Sequence, residues 1–384
     1  MLVLLHFYKA GFNPIQISIV FVFYELAGVF SNFSAGWSAK KFGLAAILYA
    51  GFTIQIIALI YLMSSGGAHA DTTYLLSIMF AQGASGVAKD LIKVSAKSSV
   101  KVFSSELPGQ LFRWVAILTG SKNAIKGVGF FLGAVSLSFF DFNTVIFFMI
   151  ILLVLAVILT FKTVVMSLPG PERGIVSLKA LSTSRNINIL SLARMFLFGA
   201  RDVWFVVALP IFLYSSISSS FSLTGNSIFF FVGSFMSIWI ILYGVFQTIS
   251  PRFFPKQDGL SFRIINLAIR WNLASIIPPL ILSGFLYYYS PSNYLAVPIV
   301  VGGLFVFGFI FAVNSSLHSY LILALSSKER ISLDVGFYYM ANSGGRLIGT
   351  LLSGVIYQTG GLSLCLLGTS VMLAISSMAI SQLK

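Results

Sequence analysis

The sequence predicts an all-α membrane protein, and three features of the chain carry that prediction. Hydrophobic residues make up 58 % of the 384 residues, and phenylalanine alone contributes 38. Apolar runs of about 20 residues, the length of a helix that crosses a bilayer, recur along the whole chain. Charged residues make up only 9 %, and no interval between the runs is long enough for a soluble domain. We therefore expect a 6+6 helix architecture, in which two bundles of spanning helices are joined by a linker.

The first half of the chain is predicted to hold five full spans and a fragment of another. Residues 1–8 are apolar but too short to cross a bilayer, so we expect them to be the end of a truncated first helix. The full spans are expected at 14–37, at 43–64, from 73 into the lysine-rich segment after 88, at 111–139 and at 144–164. Together these elements form a predicted N-terminal bundle over residues 1–166.

The second half follows the longest polar interval, residues 167–187. This interval contains two prolines and three basic residues, as expected of a cytoplasmic linker between the bundles. Six spans are expected after it, near 188–214, 226–248, 264–288, 294–325, 333–357 and 362–382. They form a predicted C-terminal bundle over residues 188–384, and the expected total is eleven full spans plus a fragment.

The charges in the loops predict the orientation of the chain. Of the 24 Lys and Arg residues, fourteen fall in loops and ends on one side of the membrane, whereas Lys9 alone falls in the loops on the other side. Cytoplasmic loops of membrane proteins carry an excess of Lys and Arg. We therefore expect both termini to be cytoplasmic. Because the net charge of +14 divides between loops and spans in this way, we expect no nucleic-acid partner.

Nine basic residues remain, and they lie within or at the ends of predicted spans, where apolar side chains are the rule. They are Lys89, Lys93, Lys97, Lys122, Lys126, Arg194, Arg201, Arg270 and Arg346. The acidic residues in the spans are Glu25, Asp90 and Asp202, with Asp334 at a span edge. Burying one unpaired charge costs on the order of several kcal/mol, so this excess predicts a water-filled cavity that binds an anion. In membrane proteins built from two repeats, such a site lies near the midplane between the halves.

The fourth span carries a stripe of lysines. On a helix, one stripe would contain Lys89, Lys93, Lys97 and Lys101, because they recur every four residues. We expect Lys97 and Lys101 to reach the cytoplasmic interface along their aliphatic stems. Lys89 and Lys93 lie deeper and are candidate substrate-binding residues. The alternative for Lys89 is an ion pair with Asp90 or Glu25, and the same alternative applies to Lys122 and Lys126 of the fifth span.

The fifth and eleventh spans share a pattern in which an amide precedes a cation at mid-helix. The fifth span has Lys122, Asn123 and Lys126, and the eleventh has Asn342 and Arg346. A lysine ammonium binds a phosphate-like group as a point charge, whereas arginine binds it with a two-pronged fork. We therefore add Lys122, Asn123, Lys126 and Arg346 to the candidate substrate-binding residues.

Carboxylates in the spans suggest sites of coupling or ion pairing. In the seventh span Arg201 is followed by Asp202, and neighbours on a helix point about 100° apart. We expect one of the two to bind substrate while the other pairs internally; the alternative is a purely structural network. Glu25 and Asp90 are further candidates. For Glu25, proton transfer and a fixed ion pair with a lysine both remain open.

Two polar residues of the tenth span, Asn314 and His318, lie one turn apart and are also candidate substrate-binding residues. That spacing would also serve a membrane-embedded acyltransferase, although such side chains commonly form hydrogen bonds between helices. Cys365 is the only cysteine, which excludes an internal disulfide and a site with several thiolate ligands. We expect no metal site, no catalytic residue and no cofactor, and we do not expect an enzyme.

Two sets of segments resemble known proteins. The loop GWSAKKFG, residues 36–43, resembles the G-x-x-x-D-R-x-G loop of the major facilitator superfamily, with Lys40 in place of the acidic residue. Over nearly the whole chain, the sequence resembles the ArsJ-type organoarsenical efflux permeases, a branch of that superfamily. The segments that carry this likeness are MLVLLHFYK, AKDLIKVSAKSS, FRWVAILTGSKNAIKGVGFFLG, ARMFLFGARDVWFVVALPIFL, FAVNSSLHSYLILA and LDVGFYYMANSGGRLIGTLLSG.

This resemblance implies a function in bacterial arsenate resistance, in the inner (cytoplasmic) membrane. Glyceraldehyde-3-phosphate dehydrogenase uses arsenate in place of phosphate and forms 1-arseno-3-phosphoglycerate. The permease then exports this anion from the cytoplasm by alternating access. The alternative within transport is an antiporter of organophosphates or other organic anions.

Overall fold

The structure is a computed structural model, and it describes residues 2–64, 72–103, 110–168, 184–221, 225–250, 262–289, 295–325 and 331–383. Within these ranges the regular structure is helical and there is no strand. The helices are α1 (Leu2–Lys9), α2 (Pro14–Phe42), α3 (Leu44–Ser64), α4 (Thr72–Phe103), α5 (Gln110–Phe139), α6 (Phe142–Ser167), α7 (Arg185–Phe205), α8 (Ala208–Phe221), α9 (Gly225–Ile249), α10 (Phe262–Tyr288), α11 (Ala296–Leu325) and α12 (Ile331–Ile380).

The longest element, α12, consists of two helices separated by a break at Gly360 and Gly361. Gly361 has a φ of +64°, in the left-handed region that glycine adopts without a steric cost. The break falls between residues 357 and 362, where the apolar pattern predicts the end of one span and the start of the next. The last two predicted spans are therefore present as the two halves of α12.

Eight segments of the described chain are long and apolar enough to cross a membrane. One of them, Arg185–Ser219, includes both α7 and α8, and another, Phe337–Ile380, includes both halves of α12. The described part of α4 is not among them, and the described part of α5 contributes the shorter apolar segment Ile125–Phe139.

Two helices begin with side-chain caps that satisfy backbone N–H groups. At the start of α6, Asp141 accepts hydrogen bonds from the backbone nitrogen of Thr144 at 3.0 Å and from its hydroxyl at 2.5 Å. At the start of α7, the hydroxyl of Ser184 accepts a hydrogen bond from the backbone nitrogen of Ile187 at 3.4 Å. Caps of this kind stabilise the first turn of a helix.

The chain divides into two compact units. Unit 1 comprises Met1–Ser18, Asn123–Phe139 and Lys179–Lys384, and unit 2 comprises Ile19–Lys122 and Phe140–Leu178. In unit 2, α3 packs on α4, where a Cβ added at Gly51 would lie 3.0 Å from the carbonyl oxygen of Ala88. In unit 1, α7 packs along α12, and both helices have glycines at their contact. Each of the two units contains a charged cluster of its own.

Candidate functional site

The charged cluster of unit 1 is centred on Asp202, which is 0 % exposed. Its oxygen Oδ1 accepts a hydrogen bond from Nε of Arg201 at 2.7 Å, and its oxygen Oδ2 accepts one from Nε of Arg346 at 3.0 Å. Nη2 of Arg201 also lies 2.6 Å from Oδ1. A third cation, Lys126 on α5, is near enough to act on Asp202 electrostatically. Two arginine guanidiniums thus contact the one carboxylate, and a lysine adds to the positive potential there.

Arg201 reaches Asp202 although the two are neighbours in sequence. Their Cα–Cβ bonds point in different directions, but the long arginine side chain turns back to place its guanidinium on the carboxylate. The guanidinium carbon of Arg201 also lies 4.9 Å from the centre of the Phe198 ring, one turn earlier on α7. The arginine is therefore held on two sides, by a carboxylate and by an aromatic face.

Arg346 reaches the same carboxylate because α7 and α12 approach closely at glycines. A Cβ added at Gly345 would overlap the carbonyl oxygen of Met195, and one added at Gly349 would overlap that of Gly199. A Cβ added at Gly199 would itself lie 2.9 Å from the carbonyl oxygen of Gly345. Small residues let helices approach at backbone distance within membranes. These glycines, on either side of Arg346, bring its side chain to α7.

The cations of this cluster differ in exposure. The side chain of Arg201 is 8 % exposed and that of Arg346 is 25 % exposed. Lys126 is exposed, and its ammonium lies 5.5 Å from the centre of the Phe130 ring. Arg346 and Lys126 are therefore the accessible cations of the cluster, while Arg201 is almost enclosed.

The charged cluster of unit 2 is centred on a second aspartate, Asp90 on α4, which is also 0 % exposed. Nζ of Lys93 lies 3.1 Å from its Oδ1, and the hydroxyl of Ser31 on α2 donates to its Oδ2 at 3.0 Å. A Cβ added at Gly28 would lie 3.0 Å from that same oxygen, so the glycine leaves room for the carboxylate. The lysine stripe is thus joined to α2 through Asp90.

Two further predicted residues lie in unit 2. The ammonium of Lys89 lies 4.1 Å from the centre of the Tyr24 ring, a cation–π contact between α4 and α2. Glu25, next to Tyr24 in sequence, is buried at 6 % exposure. Nζ of Lys93 forms an ion pair with Asp90 in the described structure, and the role of Lys93 in substrate binding stays a prediction.

Asn314 and His318, the two candidate residues on α11, differ in their hydrogen bonds. Asn314 and His318 are both 0 % exposed. Nδ2 of Asn314 donates to Oδ1 of Asn272 at 3.1 Å, and Nδ2 of Asn272 donates to the hydroxyl of Ser376 at 2.9 Å. Both ring nitrogens of His318 lack a hydrogen-bond partner in the described structure. No described hydrogen bond joins Asn314 to His318, so the arrangement expected of a catalytic pair is not formed.

Four predicted positions have side chains outside the described part of the structure. Lys122 and Asn123 lie on α5, and Lys97 and Lys101 lie on α4. Their assignment as candidate or interfacial residues stays a prediction. No group of three or more His, Cys, Asp or Glu side chains that would hold a metal occurs among the described residues.

The structure also identifies polar residues that sequence reasoning did not select. Arg194 on α7 was among the basic residues of the spans, but nothing distinguished it from Arg270. The structure shows it buried at 5 % exposure, with Nε donating to Asn342 at 3.1 Å. A usable signal was present in the spacing, since Arg194, Phe198 and Arg201 recur at four and three residues and so share one helix face.

Several solved transporters resemble this chain in fold. The nucleoside transporter NupG superposes with a TM-score of 0.69 and 18 % identity, over 99 % of this chain and 93 % of its own. A POT family transporter in complex with a thioalcohol-conjugated peptide has a TM-score of 0.71 and 14 % identity, over 96 % and 88 %. A bacterial homologue of the iron transporter ferroportin, in an inward-facing state, has a TM-score of 0.67 and 12 % identity, over 97 % and 91 %.

These similarities concern the fold. The predicted all-α membrane protein with the major facilitator architecture is confirmed. No protein-family model and no curated protein sequence matches the chain. Evidence for the substrate therefore comes from the charged clusters and from the sequence.

Proposed function

We propose that this protein is a multi-pass membrane transporter that exports an anionic small molecule, with the cluster of Asp202, Arg201, Arg346 and Lys126 as its binding site. The observation that carries the proposal is the charge of that cluster. Among the described residues, Arg201, Arg346 and Lys126 all act on the single buried carboxylate of Asp202, so cations outnumber carboxylates there. An anion with a phosphate-like group would offset that excess and accept the fork of an arginine.

The paired carboxylate explains how the site stays stable without substrate. Asp202 holds both guanidiniums in place, and Arg346 remains 25 % exposed at the accessible side. An arriving anion would take over contacts that Asp202 makes in the described state. Because the carboxylate and the substrate compete for the same cations, binding and release would change the packing of α7 against α12. A change of this kind is what alternating access requires of a binding site.

We propose 1-arseno-3-phosphoglycerate as the substrate, because the chain resembles the organoarsenical permeases and because this molecule bears several negative charges. On this proposal the protein lies in the bacterial inner membrane with its C-terminus in the cytoplasm. It depends on glyceraldehyde-3-phosphate dehydrogenase to make the substrate. The similar structures belong to a nucleoside transporter, a POT family transporter and a homologue of an iron transporter, so the fold alone does not select a substrate class.

Transport into everted membrane vesicles tests this proposal. Vesicles supplied with arsenate, glyceraldehyde-3-phosphate, NAD and the dehydrogenase should accumulate arsenic only when the protein is present. Arg346→Gln should lower the initial rate about tenfold or more, because a charge-assisted contact to the anion is lost. Arg270→Gln is the matched control, since Arg270 is an exposed arginine of α10 that lies outside both clusters.

The antiporter alternative is tested in the same vesicles. Adding 3-phosphoglycerate should compete with the arsenate ester if the site takes phosphate esters in general, and preloaded phosphate ester should then speed arsenic uptake by exchange. Vesicles that accumulate no arsenic but exchange phosphate esters would replace the proposed substrate with an organophosphate. Accumulation unchanged by Arg346→Gln would overturn the assignment of the site.

A further inference from the structure

Arg194 on α7 is a buried cation whose hydrogen bonds, among the described residues, go to neutral groups. It is 5 % exposed. Its Nε donates to Oδ1 of Asn342 at 3.1 Å, and its Nη1 donates to the carbonyl oxygen of Ser315 at 3.0 Å and to the Ser315 hydroxyl at 3.2 Å. Among the ion pairs of the described residues, none joins Arg194 to a carboxylate. These contacts satisfy hydrogen bonds but leave a full positive charge without a counter-ion.

Two aromatic rings fix the plane of this guanidinium. Its central carbon lies 3.9 Å from the centre of the Phe198 ring and 5.1 Å from that of Tyr338. Aromatic faces attract a guanidinium but do not neutralise it. The three described hydrogen bonds use Nε and Nη1, so the N–H groups of Nη2 are the donors that the described residues leave for another acceptor.

His318 on α11 is a second buried polar residue, and its ring nitrogens have no hydrogen-bond partner in the described structure. His318 follows Ser315 by three residues on α11, which places both on one face of that helix. Arg194 is the charge that acts on His318, and both imidazole nitrogens lack a hydrogen-bond partner in the described structure although the residue is 0 % exposed. A neutral imidazole always carries one N–H donor. A buried donor without an acceptor costs about 1–3 kcal/mol.

We propose that Arg194 and His318 form a second anion subsite, which takes a carboxylate or a phosphate-type group. One oxyanion would offset the charge of Arg194, accept from Nη2 and accept from the imidazole N–H. This occupant resolves both unsatisfied features at once. The subsite is separate from the Asp202 cluster, because Arg194 precedes Arg201 by seven residues, or about 10 Å along a helix. The Phe198 ring, 3.9 Å from one guanidinium and 4.9 Å from the other, contacts both arginines.

The source of the anion is either a free inorganic ion or one end of a larger substrate. Both have the same oxyanion chemistry, and two probes distinguish them. Inorganic phosphate reports the subsite alone, whereas 3-phosphoglycerate carries two anionic groups on one small molecule.

Binding of radiolabelled phosphate to the purified full-length protein tests the subsite without any transport. The experiment starts from Arg346→Gln, which removes an accessible cation of the other cluster. Phosphate should still bind this variant, and adding Arg194→Gln should weaken that binding about tenfold or more, as expected for the loss of a charge-assisted contact. Arg194→Lys should weaken it less, because the charge remains. Adding Arg270→Gln instead should change nothing. Size-exclusion chromatography and helical circular dichroism establish that each variant is folded.

The same variants bound to 3-phosphoglycerate identify the source. If Arg194→Gln weakens the binding of 3-phosphoglycerate as much as the binding of phosphate, the subsite takes one end of a substrate. If only the binding of phosphate weakens, the subsite takes a free ion. Equal phosphate affinity with and without Arg194→Gln would overturn the proposal and leave Arg194 a structural cation. A failure of arsenic export with phosphate binding intact would count against the proposed function and not against this subsite.

A spectroscopic measurement covers the case in which Arg194→Gln fails to fold. The chain has three histidines, so a His6→Gln, His69→Gln variant retains His318 alone. With labelled histidine, its imidazole resonances should shift in a saturable manner as phosphate is added to the otherwise unchanged protein. Resonances that stay in place at saturating phosphate would contradict a role for His318 in the subsite.

Discussion

Asp90 in unit 2 and Asp202 in unit 1 are both wholly buried, and both lie on helices that carry several basic residues, yet their partners differ in kind. Asp202 is held by two arginines through guanidinium nitrogens at 2.7 and 3.0 Å. Asp90 is held by one lysine at 3.1 Å and one serine hydroxyl at 3.0 Å. Asp202 is therefore held by arginine guanidiniums, whereas the described contacts of Asp90 come from a lysine ammonium and a hydroxyl.

This difference separates two roles. Arginine holds a carboxylate with a rigid fork, whereas lysine is a point charge on a flexible stem. The partner of Asp90, Lys93, has a side chain that is 35 % exposed, so it can leave the pair for water at small cost. The Asp202 cluster is suited to binding an anion, and the Asp90 cluster is suited to a pair that opens and closes.

The largest expected effect comes from Asp202→Asn, which leaves Arg201 and Arg346 without their counter-ion. Breaking a buried pair from one side costs about 3–5 kcal/mol, because a buried charge is left uncompensated. Thermal unfolding of the purified protein should show a clear fall in Tm, and added phosphate should restore part of it. An Asp202→Asn variant as stable as the wild type would contradict the proposed difference between Asp202 and Asp90.

The next effect comes from Gly345→Ala, which tests whether close approach of α7 and α12 builds the cluster. The added methyl group would meet the backbone of Met195 rather than a movable side chain, and overpacking of this kind costs about 1–3 kcal/mol. The neighbouring substitution Gly344→Ala is the control, because nothing lies within 4 Å of its added Cβ. Stability and arsenic uptake should fall for Gly345→Ala only; equal effects would show that the close approach is dispensable.

A smaller effect is expected from Asp90→Asn. The amide can keep the hydrogen bond from Ser31, and Lys93 can turn to water, so the loss of stability should be less than half that of Asp202→Asn. The wild-type contribution of this pair should also decline with added salt, whereas that of Asp202 should hardly change. Unfolding curves at low and high salt check both statements, and identical salt responses would contradict them.

The smallest effect concerns Asp141, an exposed carboxylate that serves as a reference for the buried pair. Hydrogen bonds from Thr144 hold the pKa of Asp141 below its ordinary value. A lowered pKa in the folded state means that the cap stabilises the protein above the unfolded pKa and is lost as the pH falls through the folded pKa. Stability of the wild type should therefore drop slightly more on acidification than that of Asp141→Asn. Parallel pH curves for the two proteins would show that the cap contributes nothing.

Much of the fold was predictable from the pattern of apolar and charged residues. The end of one span near residue 357 and the start of another at 362 match the break at Gly360 and Gly361. The lysine stripe lies on a single helix, α4, as its four-residue spacing predicts. Such features depend on residues close together in sequence, so local periodicity reveals them.

The contacts of the candidate site were less predictable. The fifth-span residues Lys122 and Asn123 and the pair of Asn314 and His318 were chosen by type and position, and their roles in binding stay predictions. Arg194 was not chosen at all, because an arginine in a span carries no mark of what surrounds it. Its described hydrogen-bond partners, Asn342 and Ser315, are neutral and lie far from it in sequence, so the tertiary structure is needed to identify them.

By itself, the sequence determined that this protein is a bundle of membrane-spanning helices with more basic than acidic residues in its spans, because a bilayer selects long apolar helices and makes every charge conspicuous. Only the tertiary structure decided which charges meet. Arg346 joins Asp202 across 144 residues of chain because glycines let two backbones touch. Arg194, two turns away on the same helix, meets neutral oxygens and aromatic rings in the described part of the chain.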